Sequence, residues 1–165
     1  MKISPTELMK KLKYISQEIL NVYSDDGDNA FVPMDKNEDG VLTPMYETTY
    51  DFRRNRNRIK ELHEEEIKIK NLLNEFNQNN NVDGYPFNVN EGLIRLAQLK
   101  KEISTLTNMN KSGLYVRDRY GDNIRKGVFE LNEVKEELRK AQSELSKLQV
   151  AIDKTNLMSQ IEYNN

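Results

Sequence analysis

Between Leu131 and Leu157, Val134, Leu138, Ala141, Leu145, Leu148, Ile152 and Thr155 recur at alternating steps of four and three. Only an α-helix brings such positions onto one line, and a line this narrow is a heptad seam. The residues between them are mostly Lys, Glu, Gln, Ser and Arg, so the opposite side of the helix faces water. A lone amphipathic helix draws most of its stability from tertiary packing, so a second helix must cover the seam. The seam is either the core face of an antiparallel bundle or a dedicated surface for a partner helix.

Three further segments carry helical spacing. Ser4, Pro5 and Glu7 form a start signal: a cap, a proline where its missing N–H costs nothing, and an acid able to complete a capping box. Leu8, Leu12, Ile15, Ile19 and Val22 follow, with the same steps as the last segment, which makes the first and last helices natural neighbours. A long helix is expected over 51–78, roughly 40 Å if unbroken at the α-helical rise. Its seam is Phe52, Ile59, Leu62, Ile69, Leu73 and Phe76, interrupted by Asn55 and Glu66, and a buried Asn fixes register at some cost in stability. After an Asn-rich turn, Asn88 and Glu91 make a second capping box, and Leu93, Leu96, Leu99, Ile103 and Leu106 share one face. The expected fold class is therefore mainly α: an antiparallel long-helix or coiled-coil bundle with one or two short β-hairpins. It forms a single helical domain over 1–165, with helices at about 5–22, 51–78, 89–109 and 132–157, and irregular or hairpin segments at 24–46 and 111–130.

Composition narrows the function classes. With 36% hydrophobic and 32% charged residues, the chain lies on the polar side of globular, as exposed long helices would. A net charge of -2 offers no basic excess to hold a nucleic-acid polymer, so any anion site is local. The absence of cysteine excludes disulfides, thiolate nucleophiles and thiolate zinc sites, and fits a cytoplasmic protein. No stretch is long and apolar enough for a signal sequence or a membrane span, so no membrane partner is expected. Abundant Asn and Lys without Trp suit an AT-rich genome, a low-GC bacterium or its phage, in which case the host cytoplasm is the setting.

Chemistry concentrates in the two breaks. Asp35, Asn37, Asp39 and Gly40 read D-x-N-x-D-G, the opening of a calcium loop in which alternate oxygens wrap a hard cation. The twelfth loop position, which should be a bidentate acid, is Tyr46, with Glu47 one residue late, and Pro33 interrupts the helix that should lead in. Asp35, Asn37, Asp39 and Glu47 are therefore weak metal candidates against a simple acidic turn. A short hairpin between Ala30-Phe31-Val32 and Val41-Leu42 is also compatible with this stretch. In the second break, Leu114, Val116 and Tyr120, then Ile124, Val128 and Phe129, flank Gly121-Asp122-Asn123, a hairpin pattern. Its charges are mostly basic. Arg117 and Arg119 alternate onto the face of Tyr115, and with Tyr120, Arg125 and Lys126 they make a candidate cradle for a phosphate or carboxylate. The competing reading is an edge hairpin kept from aggregating by its charges.

Two other features are weaker. Arg53, Arg54, Arg56 and Arg58 open the second helix, while Glu64, Glu65 and Glu66 lie further on, a split that either pairs with an antiparallel copy of itself or is a solvated face. His63 is the only histidine and has no second ligand at metal spacing.

The order NEFNQNN from Asn74 to Asn80, the capped helix NVNEGLIRLAQLKKEISTL, a short basic segment with Arg and Tyr, and the closing ELRKAQSELSKLQVAIDKTN resembles a family of small bacterial and phage coiled-coil proteins called septicolysin-like. The likeness covers most of the chain from about Ile59 onward. Where that family has Arg-Asp in the third helix and Trp after the final Asn, this chain has Leu96-Ala97 and Leu157, so the roles of those family residues do not carry over. The resemblance implies a helical, self-associating protein with no established activity.

No catalytic order of Ser, His and Asp and no glycine-rich phosphate loop is present, so no enzyme and no cofactor are expected. Two functions remain. In one, a homo-oligomer presents Arg117, Arg119, Arg125, Lys126, Tyr115 and Tyr120 to an anionic small molecule such as a nucleotide. In the other, the heptad faces and the Arg-rich helix start grip a protein partner as scaffold or inhibitor.

Overall fold

A computed structural model describes residues 1–117 and 123–163. The elements run β1 (Lys2–Ile3), α1 (Pro5–Asn29), β2 (Met34–Lys36), β3 (Leu42–Pro44), α2 (Phe52–Asn79), α3 (Val89–Ser112), β4 (Tyr115–Arg117), β5 (Ile124–Lys126), α4 (Leu131–Met158) and β6 (Ile161–Glu162). The protein is thus mainly helical, with three antiparallel strand pairs among the described residues, β1 with β6, β2 with β3 and β4 with β5. Where the sequence reads as one helical domain over 1–165, the contacts group into two compact units, 1–74 with 160–165, and 75–159.

In the first unit, α1 begins at the capping box expected of it: Ser4 accepts from the Glu7 N–H at 3.2 Å, and Glu7 accepts from the Ser4 N–H at 2.9 Å. Its seam residues Leu8 and Ile15 pack with Leu62 and Ile69 of α2, and Tyr163 completes this core. The expected pairing of the first and last helices is therefore corrected: α1 is covered by α2, its successor in the chain. α1 also runs past Val22 to Asn29, through Asp25, Asp26, Gly27 and Asp28. Those residues are poor helix formers and read as loop. Partners on and just before α2 override the propensity: Asn55 donates to Asp25 at 2.7 Å, Tyr50 donates to Asp26 at 2.8 Å, and Arg56 pairs with Asp26.

The longer α1 shifts the first hairpin. Its pairs are Met34 with Pro44, Asp35 with Thr43 and Lys36 with Leu42, in place of Ala30-Phe31-Val32 against Val41-Leu42. The turn closes through Gly40, whose φ of 80° suits a residue without Cβ.

In the second unit, α3 and α4 lie side by side. Val134, Ala141, Leu148, Ile152 and Thr155 of the α4 seam are buried, with Leu138 and Leu145 half-buried, and α3 supplies Val89, Leu96 and Leu99. Two seam residues are corrected. Leu93 is 42% exposed, its place against α4 taken by Gly92, and Phe52 is 61% exposed, its ring 5.4 Å from the Arg56 guanidinium. No helix among the described residues is long and apolar enough to cross a membrane.

Candidate functional site

The charge pattern of α2 explains itself in the first unit. Its basic start faces the acidic end of α1, Arg56 with Asp26 and Arg58 with Glu18, while Glu65 faces Lys11 near the start of α1. Acids at a helix C-terminus and bases at an N-terminus oppose the helix dipole, so it is the antiparallel cross-pairing that accounts for them. Three of the split charges, Arg56, Arg58 and Glu65, are thus met by α1, while Arg53, Arg54 and Glu64 are exposed and Glu66 pairs with Lys70 of its own helix. Asn55, expected to set register, is 6% exposed and donates to both Asp25 and Asp26, at 2.7 and 3.2 Å.

At the other end of this helix pair, Tyr163 is fully buried. Its hydroxyl accepts from Lys11 Nζ and donates to Glu65 Oε1, both at 2.8 Å, and Lys11 and Lys68 stand 4.5 and 5.0 Å from its ring centroid. Hydrogen bonds from Lys11 and then Tyr163 hold the Glu65 carboxyl below its ordinary range, and Glu65 and then Tyr163 hold the Lys11 ammonium above its own. A cavity of about 580 Å³ adjoins this cluster, with Glu64 at its margin, but Lys11, Glu65 and Tyr163 answer one another within the chain. Nothing in the sequence marks Tyr163, because its burial depends on β6 pairing with β1, where Lys2 faces Glu162 and Ile3 faces Ile161.

The first-break candidates sit on and beside the β2–β3 hairpin. Asn37 Oδ1 accepts from the N–H groups of Asp39 and Val41 at 3.1 and 2.9 Å, and Asp35 Oδ1 accepts from Lys36 N–H at 2.9 Å. These carboxamide and carboxylate oxygens are engaged in shaping the turn. Glu47 follows in irregular chain beyond Pro44, and among the described residues no group of three or more His, Cys, Asp or Glu could hold a metal ion.

The basic hairpin is the second-break candidate, and it forms as β4–β5. Tyr115 pairs with Lys126, Val116 with Arg125 and Arg117 with Ile124. Cross-strand partners share a face, so Tyr115, Arg117, Ile124 and Lys126 lie on one side, and Val116 and Arg125 on the other. The expected cradle is thereby divided. Arg117 and Arg125 are on opposite faces, and Arg119 and Tyr120 lie outside the described residues.

The division creates a different site. α3 ends at Gly113, whose φ of 66° lets the chain leave the helix while its N–H donates to the Met109 carbonyl at 3.1 Å. The strand that follows folds back over the last turns of α3, and Gly127 N–H donates to the Leu114 carbonyl at 2.7 Å, closing the base of the hairpin. Between the end of α3 and the hairpin opens a groove of about 460 Å³, lined by Thr105, Met109, Ser112, Val116, Arg125 and Phe129 among others. Its size falls in the ~300 to 1,000 Å³ range of small-molecule sites, and its make-up, apolar walls with a few polar groups and the cations Arg125 and Lys126, is theirs too. Arg125 and Lys126, two of the expected ligand-binding residues, line this groove. Met109, Phe129 and the groove itself were not expected, since the spacing of α3 places Met109 on no seam.

No protein-family model matches the chain, and no curated protein is similar to it. A crystal structure of a functionally unknown conserved protein from Corynebacterium diphtheriae is similar in fold, with a TM-score of 0.76 and 14% identity over 98% of this chain and 100% of that one. At that identity the likeness shows a shared fold alone.

Proposed function

We propose that the chain is a non-enzymatic, cytoplasmic binding protein whose groove at the α3–α4 hairpin takes a small anionic ligand, nucleotide-like signals included. The observation that carries this reading is the placement of Arg125 on the Val116 face, over a groove walled by Met109 and Phe129. A guanidinium fork at an apolar groove matches a carboxylate or phosphate and loses less to competing water than one in open solvent.

The scaffold alternative has less to work with. The α4 seam is covered by α3, and Arg56 and Arg58 are paired with α1. A homo-oligomer would be built on exposed apolar residues such as Leu20, Ile67, Ile94 and Val150, rather than on the heptad seams.

Thermal shift across nucleotides, inorganic phosphate and Ca²⁺ tests the reading. A ligand at a hundred times its Kd adds ~2.7 kcal/mol, and an anion that raises the melting temperature should lose its effect in Arg125→Glu and keep it in Arg117→Glu. An anion shift that survives Arg125→Glu would remove the groove from consideration.

A further inference from the structure

We infer that the groove selects an amphipathic anion: one carboxylate or phosphate monoester attached to an aromatic or aliphatic body, in preference to a polyphosphate. The inference rests on the anion-site reading above and adds the chemistry of the occupant.

Three observations carry it. The first is the supply of cations. Among the described residues that line the groove, only Arg125 and Lys126 are cationic, and the register places Lys126 on the opposite hairpin face, with Arg117. Arg125 also takes part in an interaction within the chain, so an incoming anion must share or displace that partner. Two cations, one of them already engaged and the other set on the far face of the strand, suit one anionic headgroup, whereas several adjacent phosphates require more cations or a metal ion.

The second is the wall. Met109 and Phe129 are half-buried and Val116 is 38% exposed, which leaves apolar surface open inside a polar protein. Covering that surface is favourable in proportion to the area removed from water, and only a ligand with an apolar body can cover it. The side chains of Ser112 and Asn108 stand at the same groove and can orient the headgroup.

The third is Gly127. A Cβ at this position would fall 2.6 Å from a Phe129 ring carbon and 2.9 Å from another. The missing Cβ lets the Phe129 ring pack close to the Gly127 backbone, and both residues line the groove. Val128, between them, is fully exposed, so the chain turns Phe129 inward while the neighbouring apolar residue faces water.

Isothermal titration with defined probes tests the assignment. 2-Naphthoate and 2-naphthyl phosphate should bind and compete with each other, inorganic phosphate and ATP should bind at least tenfold more weakly, and so should the neutral 2-naphthamide. Arg125→Gln should weaken naphthoate by about tenfold or more, the lower end of what losing a charge-assisted hydrogen bond costs. Gly127→Ala should weaken it through displaced Phe129, in protein whose helical circular dichroism and melting temperature match the parent. ATP or phosphate binding as tightly as naphthoate, with loss in Arg125→Gln, would overturn the amphipathic assignment and leave the anion site standing. Equal binding of the naphthamide, naphthoate binding indifferent to Arg125→Gln, or no binding by any probe would overturn both.

Discussion

Removing the Tyr163 side chain should destabilise the α1–α2 unit more than any other change so near the end of the chain. The ring is 1% exposed and packs with Leu8, Ile15, Leu62 and Ile69, so Tyr163→Ala opens a cavity in that core at a cost of about 3 to 5 kcal/mol. Tyr163→Phe keeps the ring and loses only the hydroxyl, which joins Lys11 to Glu65. Each such charged hydrogen bond contributes ~1.5 to 3 kcal/mol when dry. The Lys11 and Glu65 side chains are 32% and 34% exposed, so water takes over part of the role and ~1 to 2 kcal/mol in total is the expected cost. At roughly 2 to 4 °C per kcal/mol for a chain of this length, Tyr163→Ala should lower the melting temperature by about 6 to 20 °C and Tyr163→Phe by about 2 to 8 °C. Urea denaturation followed by helical circular dichroism gives the free energies, with Tyr14→Ala as the control, since Tyr14 is 61% exposed and its loss should stay within ~0.5 kcal/mol. If Tyr163→Ala is as mild as Tyr14→Ala, the terminal strand pair does not seat the ring, and the account of this core is wrong.

The same cluster sets a pH dependence. Glu65 is held below its ordinary pKa, so its contribution is present above the unfolded value of about 4.3 and fades as pH falls through the lower folded one; Lys11 is held above its own, so its contribution is present below about 10.4 and fades as pH rises through the higher folded value. Glu65→Gln should therefore flatten the acid limb of a plot of urea midpoint against pH, and an unchanged limb would assign it to other carboxylates. Thr155 Oγ1 accepts from Asp83 N–H and donates to the Ala151 carbonyl, both at 2.9 Å, so Thr155→Val should cost about 1 to 3 kcal/mol while Thr155→Ser costs less, measured by denaturant midpoint. Gly92 lies where a Cβ would meet Val82 at 3.0 Å and Ile152 at 3.1 Å; Gly92→Val should lose ~1 to 3 kcal/mol by overpacking, and a gain in stability would show that α3 and α4 have room to spare.

The helices were legible because their signals are local. Ser4 with Glu7 marks a start within one turn of chain, and so does Asn88, which accepts from the Glu91 N–H, although the Glu91 carboxylate turns to Arg95 and does not close the expected second capping box; the α4 seam from Val134 to Thr155 is buried or half-buried along its length. The end of α1 was not legible, since Asp25 and Asp26 are helical only in the presence of Asn55, Tyr50 and Arg56, some thirty residues away in sequence. The hairpin at 115–126 was legible as a hairpin, yet its register was not, and register decides that Arg125 keeps company with Val116 while Arg117 keeps company with Tyr115.

The sequence by itself determined that this chain forms four long amphipathic helices separated by three polar, turn-rich segments, because periodicity, caps and breakers act between residues at most a few positions apart. Tertiary structure decided which helix covers which seam, why opposed charges were written into α1 and α2, where Tyr163 goes, and that the end of α3 and the β4–β5 hairpin enclose a groove. A seam specifies the need for cover without naming what supplies it. That choice is made by contacts between residues distant in sequence, whose energies exist only once the chain has folded.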